Sequence, residues 1–267
     1  PFCDDGGYHG GFHLARGYYN CWRCGGHDVL KVVRALLGVS TSAAEEAIHP
    51  YVGRISLLAR LNREEDSGPR PTEVEMPGEP LRSFHRRYLR RRGFVPSEIG
   101  KRYGVLGTGP SGPYRLRLMI PVYFRGRLVS YIGRDVTEKQ DPKYKACPLA
   151  EAAINHKTVL YDLDSCWSAR SRVAVVEGTF DAWRIGEGVV ATFGTAVKEQ
   201  QIKLLSHFTE VFFVFDPEPA AQALARKAAA KLSAMGKHVE VIDLEGSTDP
   251  GSLPPEEVKH LRRELRL

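Results

Sequence analysis

The chain has 267 residues, 42% of them hydrophobic and 26% charged, with a formal charge of +6. That length suffices for two medium cores, while the absence of any apolar run near the roughly 18 residues of a spanning helix, and of a basic-then-apolar leader, argues against membrane insertion and secretion. The expected location is therefore the cytoplasm, or a host cytoplasm if a phage encodes the chain, and no membrane partner is expected.

Residues 1–27 are rich in Gly, aromatic residues, Cys and His. Phe12-His13-Leu14 and Tyr18-Tyr19-Asn20 read as short strands around a metal. From Asp28 to about Val52 the apolar spacing turns helical (Val29, Val32, Val33, Leu36, Leu37, then Ala43, Ala44, Ala47, Ile48), which predicts two short helices. Residues 53–80 lose periodicity and end in a Pro/Gly-rich run, read as a linker. An arginine-rich helix is expected over Leu81 to Arg92, followed by a short helix capped by Ser97. Leu116, Leu118, Ile120 and Val122, then Leu128 to Ile132 across Arg125-Gly126-Arg127, form a hairpin signature. In the last third, apolar runs Val173–Val176, Val189–Thr192, Val211–Phe215 and Val239–Leu244 alternate with helical runs near 181–186, 198–206 and 219–235. Such alternation predicts a parallel sheet flanked by helices. The fold class is thus α/β (α+β overall): a small zinc ribbon (1–52), a linker (53–80), a mixed α+β basic subdomain (81–171) and a parallel-sheet domain (172–267).

Of five cysteines, Cys3, Cys21 and Cys24 lie within the first 24 residues, a grouping that suggests metal rather than disulfides. Zinc takes four tetrahedral Cys or His ligands, and a Cys-x-x-Cys turn such as Cys21-Trp22-Arg23-Cys24 supplies two without strain. Cys3 would be the second member of another such pair if a cysteine preceded Pro1. The expected ligands are Cys3, Cys21 and Cys24, with a fourth before Pro1 and His9 or His13 as alternatives.

Three successive strand ends in the last third deliver carboxylates: Glu177 with Asp181 four residues on, Asp216 with Glu218, and Asp249. Phosphoryl transfer needs a divalent cation, and magnesium takes carboxylates from several strand ends together with water and substrate phosphates. A carboxylate after a strand is commonly a helix cap; three in succession are better explained by chemistry. Arginines are equally concentrated. Arg82, Arg86, Arg87, Arg90, Arg91 and Arg92 crowd one stretch, and Arg115, Arg117, Arg125, Arg127 and Arg134 follow in the hairpin. They read either as a solvated helix face or as a phosphate-binding surface.

Pro1-Phe2-Cys3, Tyr18-Tyr19-Asn20-Cys21-Trp22-Arg23-Cys24-Gly25 and Asp28-Val29-Leu30 resemble the zinc-binding domain of DnaG-type bacterial and phage DNA primases. Val175-Val176-Glu177-Gly178-Thr179-Phe180-Asp181 resembles the first motif of the Toprim fold in that family, and residues 114–148 resemble its basic polymerase core. The resemblance implies an enzyme that makes short RNA primers on single-stranded DNA from ribonucleoside triphosphates, with structural Zn²⁺, catalytic Mg²⁺ or Mn²⁺, and a replicative helicase as partner. It implies catalytic roles for Glu177, Asp181, Asp216, Glu218 and Asp249, with magnesium on Asp216, Glu218 and Asp249. It also implies nucleotide or template contacts from Arg117, Arg134 and Lys143. Arg115 and Arg117 are expected on one strand face, opposite Leu116 and Leu118. Two positions depart from the family: Glu218 replaces the second Asp of the Asp-x-Asp motif, and Gly251 stands where primases often carry an acid. A Toprim nuclease and a catalytically weakened single-stranded nucleic-acid-binding module are the rival readings; the basic subdomain and the ribbon argue against the first, while the altered second motif favours the other.

Overall fold

The structure, a computed structural model, describes residues 10–13, 18–21, 25–44, 46–48, 71–167, 171–244 and 249–267. The chain divides into two compact units, Pro1–Pro69 and Arg70–Leu267. Among the described residues no helix is long and apolar enough to cross a membrane.

In the first unit, β1 (Gly10–His13), β2 (Tyr18–Cys21) and β3 (Gly25–Asp28) form an antiparallel sheet in sequence order, followed by α1 (Val29–Leu37). Val32 and Ala44 supply buried apolar contacts, and residues 41–44 and 46–48 are helical. Cys21 ends β2, paired in register with Gly10 and Gly25. Cys3, His9 and Cys24 lie outside the described residues, as do the side chains of His13 and Cys21 and residues 53–70 of the expected linker.

The second unit opens with α2 (Ser83–Arg91) and α3 (Pro96–Tyr103). Ser97 does not cap α3 as expected. Val95 occupies the cap and Pro96 the first helical position, where its fixed φ suits the helix and its missing N–H is not needed. An antiparallel meander follows: β4 (Leu106–Gly107), β5 (Arg117–Phe124), β6 (Arg127–Asp135) and β7 (Tyr144–Ala146). Its β5–β6 turn places both Arg125 (φ 54°) and Gly126 (φ 74°) in the left-handed region, the backbone that matches the right-handed twist of a hairpin. Arginine has no intrinsic liking for that conformation. The Asp164 carboxylate of α4 (Leu163–Trp167) holds it, accepting the N–H groups of Arg125 at 2.8 Å and Gly126 at 2.7 Å.

The parallel sheet comprises β8 (Arg172–Val176), β9 (Val189–Ala191), β10 (Glu210–Phe213) and β11 (His238–Val241), in spatial order β11-β10-β8-β9. They are linked by α5 (Thr179–Ile185), α6 (Glu199–Leu205) and α7 (Pro219–Ala234), and α8 (Pro255–Leu265) closes the unit. Strands covered on both faces read as continuous apolar runs. Val173 and Val175 pack with Leu205, Ala225 and Leu232 on one side. Ala174 and Val176 share a second core with Leu118, Ile120 and Val122 of the meander. The meander and the parallel sheet are therefore joined by one apolar interior.

Depth changes the expected face of β5. Leu116 stands outside the strand with φ 54°, and Met119 packs with Tyr114 and Tyr131 on the side opposite Leu118 and Ile120. Both faces are covered, so Arg117 is only 2% exposed.

Asp135, 1% exposed at the end of β6, lends the meander a pH dependence. Burial pushes its pKa up, but bonds from the main chain and side chains of Thr137 and Gln140 outweigh it and hold the carboxyl at about 2 against an ordinary 3.8. The ionised form favours the fold, so the contribution is complete above the ordinary pKa and is lost as pH falls through about 2. Urea unfolding should lose about 2 kcal/mol across that window, and Asp135→Asn should abolish this step.

Candidate active site

β8 leads through α5 to β9 on one side, and the chain then crosses back over β8 to β10 on the other. The carboxyl ends of β8 and β10 thus flank a topological switch point, where open α/β sheets bind ligands. Glu177 directly follows β8. Val214 continues the pairing of β10, its N–H donating to Val175 O at 2.9 Å, so that Asp216 arrives beside Glu177. The Asp216 N–H donates to Glu177 Oε1 at 3.2 Å. Asp181, in the first turn of α5, accepts the Gly178 N–H at 2.8 Å through Oδ2.

Asp249 caps the 3-10 turn Pro250–Ser252 and accepts the Ser252 hydroxyl at 3.0 Å. A methyl group at Gly251 would lie 2.5 Å from Asp181 Oδ1 and 3.1 Å from Asp249 Oδ1. Glycine at this departure from the family pattern lets the two carboxylates approach each other. Glu218 caps α7 and is exposed outside the cleft, yet its charge still reaches Asp216 and Glu177.

The other four carboxylates form one wall of a cleft of about 550 Å³. Arg92, Arg134, Lys143 and Lys157 line it too. Burial, then the charge of Asp216, with Asp181 and Glu218 adding, pushes Glu177 up to about 7 despite its backbone hydrogen bond. Burial and the charges of Asp216 and Asp249 likewise push Asp181 up to about 7 against Arg92 and the Gly178 bond. Asp216 is raised by burial, Glu218 and Asp249. Crowding of this kind is relieved by cations. Lys143 is lowered chiefly by Arg134, then by burial and Arg92, and Lys157 by burial and Lys198.

Of the three basic residues expected to bind phosphates, Arg134 and Lys143 reach the cleft and Arg117 does not. Arg117 lies inside the meander, donating to the carbonyls of Gly133 (3.0 Å), Lys143 (3.1 Å) and Pro142 (2.8 Å). Arg134 is held by Tyr88 Oη at 3.1 Å and by the faces of Tyr144 and Phe180, 4.7 and 5.2 Å from its guanidinium carbon. Sequence reasoning did not single out Arg92 and missed His156 and Lys157. Arg92 was one of a run of six arginines, and only its place just past α2 sets it apart. His156 and Lys157 carry no strand or motif signal; the bridge pairing Tyr161 with Ala191 ties their segment to the sheet, and Lys157 donates to Phe193 O.

Hard carboxylate oxygens suit Mg²⁺ or Mn²⁺ rather than a soft metal. Among the described residues no group of three or more Asp, Glu, His or Cys side chains is arranged to hold a metal ion. Magnesium does not require such a group, because it binds through one or two carboxylates plus water and substrate phosphates.

A family model described as Toprim-like matches residues 174–253. A DNA primase of Synechococcus elongatus is 30% identical over 175 residues, 58% of this chain and 25% of that protein. The chain spans from about a quarter to under half of the length of the curated relatives it matches. Among solved structures, a DnaG catalytic core superimposes with a TM-score of 0.59 at 24% identity, covering 70% of this chain and 73% of that one. The primase fragment of the bacteriophage T7 primase-helicase gives 0.52 at 20% identity, covering 74% and 83%. In sequence this chain is similar to bacterial DNA primases, with a Toprim-like stretch over residues 174–253, and its fold resembles that of the DnaG catalytic core.

Proposed function

We propose that the chain is the zinc-ribbon and polymerase part of a DNA primase, joining ribonucleoside triphosphates into short RNA primers on single-stranded DNA. The observation that carries this reading is the cleft at the switch point, where Glu177, Asp181, Asp216 and Asp249 share a lining with Arg92, Arg134, Lys143 and Lys157. That division of charge suits a triphosphate: cations take its phosphates while carboxylates manage the cation and the attacking hydroxyl. Asp216 and Asp249 would hold Mg²⁺ or Mn²⁺, which would supply neutralisation of phosphate charge; Glu218, expected as a third ligand, is exposed outside the cleft and reaches the site only through its charge. Glu177 serves the attacking 3′-hydroxyl as base or metal ligand. Asp181 braces the start of α5 through the Gly178 N–H. Arg92, Arg134 and Lys143 bind nucleotide and template phosphates.

The antiparallel sheet of the first unit would hold structural Zn²⁺ on Cys3, Cys21, Cys24 and a fourth ligand, and would contact the template. The division 1–52, 53–80, 81–171 and 172–267 belongs to the same proposal. A replicative helicase is the proposed partner; the T7 relative is named a primase-helicase. The test is incorporation of labelled ribonucleotides on single-stranded DNA with Mg²⁺ or Mn²⁺. Oligoribonucleotides and pyrophosphate are expected. Cleaved template would mean a nuclease, and binding alone a weakened binding module.

Arg184 provides a test of geometry. From α5 it donates to Gly251 O at 3.0 Å and to Arg92 O at 2.6 Å, with its guanidinium 4.7 Å from the Phe94 ring. It therefore ties the Asp249 turn to the cationic end of α2. Arg184→Met keeps an unbranched apolar stem but loses the guanidinium and both bonds, and should lower kcat/KM for incorporation on the order of tenfold. Template affinity, read by anisotropy, should be nearly unchanged.

A further inference from the structure

The second unit carries another concavity, a groove of about 660 Å³ between α2, α3 and the chain at Val105 and Leu106. It shares no lining residue with the carboxylate cleft. Its apolar lining includes Leu81, Val105 and Leu106, and Val95 is left 51% exposed at its edge. Three cations stand over it: Arg86 and Arg90, one turn apart on α2, and Lys101 on α3. Among the described residues no carboxylate lines the groove.

Three neighbouring arginines are paired locally, Arg82 with Glu79, Arg91 with Glu138 and Arg102 with Glu187. Among the described residues, Arg86, Arg90 and Lys101 form no ion pair. Like charges four residues apart destabilise a helix, and an exposed valine between them gains nothing from water. Both costs are relieved by one kind of occupant, which brings carboxylates to the rim and an aliphatic side chain to the floor.

We propose that this groove docks an acidic peptide segment of a partner protein, anchored by an aliphatic side chain. A nucleic-acid strand would satisfy the cations but leave the aliphatic floor unused, and single-stranded nucleic acids are gripped by exposed aromatic rings on which bases stack. Among the described residues the groove offers none, and its one aromatic lining residue, Phe94, is 8% exposed and packed against Phe180, Trp183 and the Arg184 guanidinium. Charge complementarity and the floor together favour the peptide.

The test uses the whole chain at physiological salt, where nonspecific charge attraction is screened. Fluorescein-labelled eight-residue peptides carry glutamates around a central Leu-Leu, Ile-Ile, Val-Leu or Leu-Phe pair, and controls carry Ser-Ser there. At least one acidic-aliphatic peptide should bind saturably by anisotropy, and affinity should fall about tenfold or more with Arg90→Glu, with Val95→Asp and with the serine control. Labelled oligo-dT should bind the wild type and both variants equally. Melting curves confirm that the variants are folded, with Arg86→Glu replacing either one that is not. The proposal is overturned if no peptide saturates, if the serine control binds as tightly, or if the variants weaken oligo-dT rather than peptide.

Discussion

Glu177→Gln is expected to lower primer synthesis by about 10²–10⁴-fold, the range lost when a positioned acid–base group is removed, while leaving single-stranded DNA binding intact. The substitution is nearly isosteric, and the amide oxygen still accepts the Asp216 N–H that now donates to Glu177 Oε1 at 3.2 Å. What disappears is one negative charge and one strong base at the carboxyl end of β8. The folded state should not suffer. Glu177 stands among Asp216, Asp181 and Glu218, each of which disfavours its ionisation, so removing its charge should leave the melting temperature equal or higher. Loss of synthesis with retained folding and DNA binding identifies a chemical role; unchanged synthesis would sink the proposed site.

How much of that site could be read from the chain depends on what each residue answers to. The carboxylates were legible because Val173–Val176 and Val211–Phe215 are apolar runs whose ends are marked by the acids themselves, and a parallel sheet puts every such end on one edge. Helix and strand positions in 172–267 were legible for the same reason. Lys157 was not, because its segment is recruited by the bridge at Tyr161 and by isolated hydrogen bonds at Ile154 and Val159 that no periodicity announces. Nor was the role of Gly251. An absent acid looks like a defect in a motif, whereas in space a side chain there would collide with Asp181. Ser97 lost the cap to Val95 because the proline between them takes the first helical position.

The two kinds of cleft residue come from different sheets and need a common reference. Phe180 provides it. Carried by α5 of the parallel-sheet half, it lies 5.1 Å from the Arg92 guanidinium carbon and 5.2 Å from that of Arg134. It also packs edge-on against Tyr88 and Phe94 and beside Trp183. A large aromatic in a closely packed interior has little freedom to move. The spacing between cations and carboxylates is thereby set by packing before any ligand arrives, which is how electrostatic stabilisation avoids reorganisation cost.

Arg117→Met separates the two meanings an arginine on this meander can have. If Arg117 held phosphates, its loss would weaken nucleotide or template binding and spare the fold. The structure places its guanidinium against three main-chain carbonyls, Gly133 on β6 and Pro142 and Lys143 ahead of β7. A methionine fills similar volume but leaves those acceptors unpaired in a site only 2% exposed, and each bond to a charged group is worth about 1.5–3 kcal/mol. Allowing for water reaching the Pro142–Lys143 loop, a loss of about 3 kcal/mol in urea unfolding is expected. Lys143 lines the cleft, so its loop should loosen as well, raising KM for nucleotide more than it lowers kcat. Arg134→Met should differ in phosphate binding, with a large loss there alongside a cost in stability, because its guanidinium, 4% exposed and held by Tyr88, also lines the cleft. Equal stability of Arg117→Met and wild type would return Arg117 to the phosphate-binding surface and remove it from the framework.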